Sequence, residues 1–221
     1  MREVLRFSAL VAALALANAG SALAATITPY NSLAAWQAVA ITDWGVDFNG
    51  LFGVDTSFTS SAVDVGPFSL QQTISTAATT RNRIEVAPAL FPLESNGTDY
   101  AAILTDLDAD RAVLMTFDSP LRAWGGVFTG ALTSELTDLR LNFQAGGFTT
   151  LQLPADGFFG FTSDTAVSSI RLQSRNADGS IIGEGYGLDN VVGDTVPVPE
   201  PTTLLLLGSG LIAAVHRRRK A

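Results

Sequence analysis

Short apolar segments, broken every 8–12 residues by Gly, Asp and Pro, constrain the fold of this chain more than any other feature. Leu139, Leu141 and Phe143 alternate with Arg140 and Asn142, the period of a half-buried strand. Ala145-Gly146-Gly147 turns that strand into Phe148 to Leu153, a hairpin. Pro154 to Gly157 turns into Phe158 to Phe161, and Ile170 and Leu172 alternate with Arg171 and Gln173. Earlier strands are predicted at Val46 to Phe48, Phe68 to Gln71, Tyr100 to Leu104 and Val113 to Phe117. Ser119-Pro120 breaks the chain before Leu121 to Phe128. Asn176 to Gly179 is a turn, and Leu188 to Val192 reads as the closing strand. One stretch looks helical: Asn31 or Ser32 caps it, and Leu33, Trp36 and Val39 or Ala40 recur at helical spacing. No strand–helix alternation of about 30 residues occurs, which argues against a doubly wound fold. The expectation is an all-β body, a β-sandwich or jelly roll with a short N-terminal helix, over residues 25–195.

Charge narrows the function. The 221 residues hold 13 Lys+Arg, 21 Asp+Glu, one His and no Cys, and the cations gather at the ends. Residues 25–195 keep seven arginines against nineteen carboxylates, a net charge of −12, with no Lys, His or Cys. Such a body repels phosphate backbones, so no nucleic-acid partner is expected. Without His or Cys it also lacks the usual general base, thiolate nucleophile and soft-metal ligands.

Both ends read as targeting segments. Arg2 and Arg6 precede an apolar run from Phe7 to Ala17, and Ala22-Leu23-Ala24 supplies a small-x-small cleavage pattern. Residues 1–24 are therefore expected to be a signal peptide, cut between Ala24 and Ala25. Export without Cys suits a bacterium better than a eukaryotic secretory route. Residues 196–221 form a second unit, opening on Val196-Pro197-Val198-Pro199-Glu200-Pro201, an extended proline spacer. Thr202 to Val215 is apolar and uncharged, and as a helix would span ~21 Å, less than the ~30 Å hydrocarbon core. Arg217, Arg218, Arg219 and Lys220 follow as a basic stop-transfer cluster.

Val198-Pro199-Glu200-Pro201, the apolar helix and the terminal Arg-Arg-Arg-Lys together resemble the PEP-CTERM sorting signal of Gram-negative bacteria. The resemblance implies exosortase, a membrane cysteine protease, as partner, with Pro199, Glu200 and Pro201 as the processing motif. It implies a precursor anchored in the inner membrane by a transmembrane helix and a mature protein at the cell surface or outside the cell. Proteins carrying this signal are often linked to exopolysaccharide and biofilm matrix. Phe158 through Ile170 to Gly185-Tyr186-Gly187-Leu188-Asp189-Asn190-Val191 also resembles the body ending of many tagged proteins, where such a strand closes a jelly-roll sheet. No ligand residues carry over with it.

Candidate chemistry in the body is sparse. Asp106, Asp108 and Asp110 can converge on one hard cation, and Ca²⁺ is the cofactor they would take. Arg111 and Phe117 stand where an EF-hand needs Gly and a bidentate Glu, so that loop is excluded. A solvated acidic turn is the competing reading. Asp178 with Glu184, and Asp189 with Asn190, form a second oxygen-rich set that turn chemistry also explains. Trp36, Trp44 and Trp124 are candidates for stacking on sugar rings, with core packing as the alternative. Asn96-Gly97-Thr98 matches a glycosylation sequon and is read as a turn. The leading function is an exported, non-catalytic surface or matrix protein; the alternatives are a carbohydrate-binding module with a structural Ca²⁺, then a polysaccharide hydrolase.

Overall fold

The computed structural model describes residues 25–73, 82–87, 98–105, 112–131, 135–153, 156–176 and 184–196. In chain order these form β1 (Ile27–Tyr30), α1 (Leu33–Gln37), β2 (Trp44–Val46), β3 (Thr56–Ser57), β4 (Val63–Asp64), β5 (Phe68–Gln72) and β6 (Arg83–Glu85). Then follow β7 (Tyr100–Thr105), β8 (Val113–Thr129), β9 (Glu135–Phe143), β10 (Phe148–Leu153), β11 (Gly157–Asn176) and β12 (Glu184–Thr195). The all-β expectation is met. Among the described residues every strand pairing is antiparallel.

The strand order is β10-β9-β11-β8-β12-β7-β6-β3, with β1 added to β11, β2 to β12, and the β4–β5 ribbon to β8. Two separate sheets were expected; the described residues form one continuously hydrogen-bonded sheet that bends. The bend lies in the long β8–β11 pair. Between the pairs Leu121↔Val167 and Thr116↔Ser169, β8 carries four residues, 117–120, against one on β11, Ser168. Between Thr162↔Ala123 and Val167↔Leu121, β11 carries four of its own, 163–166, against one on β8. Bulges of this kind let a strand leave one sheet direction and enter another. Ser119-Pro120 therefore bends a strand that it was expected to end. Pro120 has no N–H to give to a ladder, and its carbonyl accepts from Val196 N–H at 2.9 Å.

On one side of the bend lie β4, β5, β9, β10 and the halves of β8 and β11 nearest them. On the other lie β1, β2, β7, β12 and the remaining halves. Leu70, Leu139, Leu141 and Leu172 from the first side share one core with Ile103, Trp124, Phe161 and Leu188 from the second. β7 also lies against β11, although β8 and β12 separate them in the strand order. The sheet has curled over a single core.

Strand alternation sends Trp124 into that core and Ala123 to the opposite face, where α1 covers it. Ser32 caps α1, its hydroxyl accepting from Ala35 N–H at 3.1 Å. Of the residues at helical spacing, Trp36 and Ala40 are buried, whereas Leu33 and Val39 are exposed. The Trp36 indole N–H donates to the Phe161 carbonyl at 3.1 Å, which ties the helix to β11. The strand expected at Val46 to Phe48 lies earlier, at Trp44–Val46, because Phe48 takes φ 58° and turns the chain.

Candidate functional site

The outer face of β9, β10 and β11 carries a depression lined by polar and aromatic side chains. Leu139, Leu141, Leu153, Ile170 and Leu172 point to the core, so their neighbours point outward. Register brings these outward residues into rows. One row is Thr150, Arg140 and Arg171; the next is Gln152, Asp138 and Gln173; a third is Phe148, Asn142 and Ser169. The hairpin turn fixes this register, with Gly146 and Gly147 at φ 92° and 84°, values that favour glycine.

Asp138, Arg140, Phe148, Thr150, Arg171 and Gln173 line a small depression of ≈ 140 Å³. The Arg140 guanidinium lies 3.7 Å from the centroid of the Phe148 ring, a cation–π contact. Its Nε–H donates to Asn142 Oδ1 at 3.2 Å, and Asn142 Nδ2–H donates to Ser169 Oγ at 3.0 Å. The guanidinium is thus held against an aromatic ring that is itself 56% exposed. The exposed Phe148 ring offers an aromatic surface beside the Arg140 guanidinium. One carboxylate lines the depression, and retaining or inverting glycoside hydrolysis calls for two. The alternation of Arg140 and Arg171 with apolar residues was visible in the sequence; their adjacency, set by the β9–β11 register, was not.

The other candidate residues divide into two groups. Asp106, Asp108 and Asp110 lie outside the described residues, as do Asp178, Asn96 and Gly97. So do Ala24, Pro199, Glu200, Pro201, Arg217, Arg218, Arg219 and Lys220; Ala25 is the first residue described. Among the described residues no three His, Cys, Asp or Glu side chains come together as metal ligands. Asp189 is buried and accepts from the Thr98 hydroxyl at 3.0 Å, from Asn190 N–H at 2.6 Å and from Asn190 Nδ2–H at 3.1 Å. Asn190, at φ 48°, is the extra residue of a bulge in β12, so this pair does turn work. Trp36 and Trp124 are fully buried, which removes them as stacking surfaces. Trp44 sits in β2, not in a loop, and packs on Phe68 with ring centroids 5.7 Å apart.

Two exposed carboxylates pin the ends of the described body. Asp43 accepts from both the Thr195 hydroxyl and, at 2.8 Å, the Thr195 N–H; these bonds hold its carboxyl below the ordinary carboxylate range. Asp164 accepts from Thr26 N–H at 2.9 Å and from the Thr165 hydroxyl at 3.0 Å. Thr26, backbone first and then side chain, and Thr165 lower its pKa.

Beyond the pinned end, a family model described as the PEP-CTERM protein-sorting motif matches residues 197–220. The motif implies export and recognition by exosortase. No curated protein matches the chain. Among the described residues no helix is long and apolar enough to cross a membrane, and residues 202–215 lie outside them.

Proposed function

We propose that this chain is a non-catalytic protein that exosortase delivers to the cell surface or extracellular matrix, where its body associates with polysaccharide. The observation that carries the reading is the sorting motif at residues 197–220, joined to an acidic all-β body. Residues 202–215 hold the precursor in the inner membrane, and Arg217 to Lys220 resist transfer across it. A body without Lys, His or Cys, and a depression with a single carboxylate, suit binding better than bond cleavage.

Mass spectrometry of the protein from an exosortase-bearing host tests the route. A shortened C-terminus is expected, and one ending at Ala221 would refute the reading. Deletion of residues 202–221 should release unprocessed body. Alanine at Pro199, Glu200 and Pro201 should leave a membrane-bound precursor instead.

A further inference from the structure

From the loop after α1 we infer a membrane-surface contact. While residues 202–215 hold the precursor in the bilayer, Val39 and Ile41 enter the lipid headgroup layer and seat the body against it. The inference rests on the proposed anchoring and adds which part of the body meets the membrane.

Charge and apolar surface are unevenly spread over the body. Residues 25–42 carry no charged side chain, although residues 25–195 have a net charge of −12. Among the described residues Leu33, Val39, Ile41, Leu51, Val54 and Phe148 are the exposed large hydrophobics, and the first three fall within this uncharged run. Val39 is 62% exposed and Ile41 71%. The loop that carries them is fixed from below. Trp36 and Ala40 pack inward, and Val39 N–H and Ala40 N–H both donate to the Trp36 carbonyl at 3.0 Å. Two apolar side chains thus stand out of a turn whose own packing is complete without them.

Position decides what covers them. Ile41 N–H donates to Asp194 at 3.1 Å, Asp43 N–H donates to the Gly193 carbonyl at 3.0 Å, and Asp43 accepts from Thr195. The loop therefore borders the point where the described chain leaves the body, at Val196. Residues 197–201 separate that point from Thr202, and a chain of that length reaches about 20 Å at most. An anchored body stands no further than this from the start of the apolar segment. The tether makes the contact intramolecular, at an effective concentration on the order of millimolar. Side chains too few to recruit a free body then suffice to hold a tethered one. The carboxylates bordering the loop, Asp43 and Asp194, already accept hydrogen bonds. Arg122, exposed between the β8 residues that pair with Thr195 and Asp194, brings a cation for lipid phosphate to the same end.

The test uses the exported precursor from a host without exosortase, its signal peptide absent by intact mass. It is reconstituted into vesicles of phosphatidylethanolamine with a minor share of phosphatidylglycerol. The chain has no Cys, so Val39→Cys, Ile41→Cys and Asp156→Cys each place a single fluorophore. Asp156 is the exposed control. It precedes Gly157, whose row through Phe128 reaches Leu188, about 23 Å back along β12 from Thr195. Lipid spin-labelled at headgroup depth should quench the labels at 39 and 41 at least about threefold more than the label at 156, and aqueous iodide should do the reverse. Adding Ile41→Asp should bring lipid quenching at 39 down toward the level at 156. Equal lipid quenching at 39, 41 and 156, in a chain that floats with the vesicles, overturns the inference and leaves the anchoring reading standing. A chain that does not float removes the anchoring reading and this inference with it. Shielding of 39 and 41 that arises only when exosortase is added also overturns the lipid contact, and assigns the loop to the protease.

Discussion

Gly160→Ala offers the sharpest check on how α1 and the β8–β11 pair fit together. Gly160 lies opposite Gly125 of β8 and opposite Tyr30 of β1. A Cβ at 160 would stand 2.8 Å from the Trp124 carbonyl oxygen, 3.0 Å from Phe158 Cζ and 3.0 Å from Trp36 Cδ1. The two rings sit edge to face, 6.3 Å apart, and could shift slightly. The carbonyl belongs to a β8 backbone paired on both sides and cannot. Overpacking of this kind costs about 1–3 kcal/mol. Reduced freedom of the unfolded chain returns about 0.4–1 kcal/mol, leaving a net loss of roughly 1–2 kcal/mol. For a body of this size that is a fall in Tm of about 2–8 °C. Thermal unfolding followed by tryptophan fluorescence reads it directly, since Trp36 and Trp124 are both buried at the site. Gly53→Ala is the control: no atom lies within 4 Å of its Cβ, so Tm should hardly move. A Gly160→Ala protein as stable as the parent would show that the Trp124 carbonyl is not a fixed wall.

Two carboxylates predict an acid-sensitive fold. Asp43 and Asp164 have lowered pKa values, so the stability they contribute is present above the ordinary carboxylate pKa and is lost as pH falls through their folded values. Urea midpoints should therefore fall below about pH 4, and the double variant Asp43→Asn, Asp164→Asn should show a flatter acid limb. Identical limbs would refute the assignment. On β6, Arg83 donates to Glu85 through Nε and Nη2, both at 3.2 Å, and Glu85 is 1% exposed. Arg83→Met leaves that carboxylate buried without its guanidinium and should cost about 3–5 kcal/mol in urea unfolding. A loss below about 1 kcal/mol would mean that the pair behaves like a surface salt bridge.

What the sequence shows depends on whether a feature is local. The hairpin at Ala145-Gly146-Gly147 was legible because turn chemistry and strand alternation agree over a dozen residues. The Ser32 cap was legible for the same reason, a hydroxyl three residues before an available N–H. The strands β3 and β4 are two residues each and exist only through their partners, so no period announces them. Proline at 120 signals an interruption, but whether the strand ends or bends depends on β11, some 45 residues later. The two arginines of the outer face appear in sequence as separate solvent positions; only register makes them neighbours. Trp36 and Trp124 were ambiguous for a related reason. Aromatic side chains serve cores and sugar sites alike, and burial decides between them.

The position of β12 links the fold to the route. This last strand pairs with β8 along one edge and with β7 and β2 along the other, so it closes the second side of the sheet. Ile41 N–H donates to Asp194 at 3.1 Å, and Thr195 is held by Asp43. The matched sorting motif begins at residue 197, two residues beyond β12. A chain exported N-terminus first therefore delivers the strand that completes its sheet immediately before the motif. Until β12 arrives, Tyr186, Leu188 and Val191 are missing from the core, and their partners on β7 and β8 stay exposed. Such a sheet, dominated by pairings distant in sequence, closes late. The same arrangement holds the chain just ahead of the matched motif. Thr195 is fixed to Asp43 and Val196 is bonded to Pro120, so the chain is held to the body up to the residue before the matched motif.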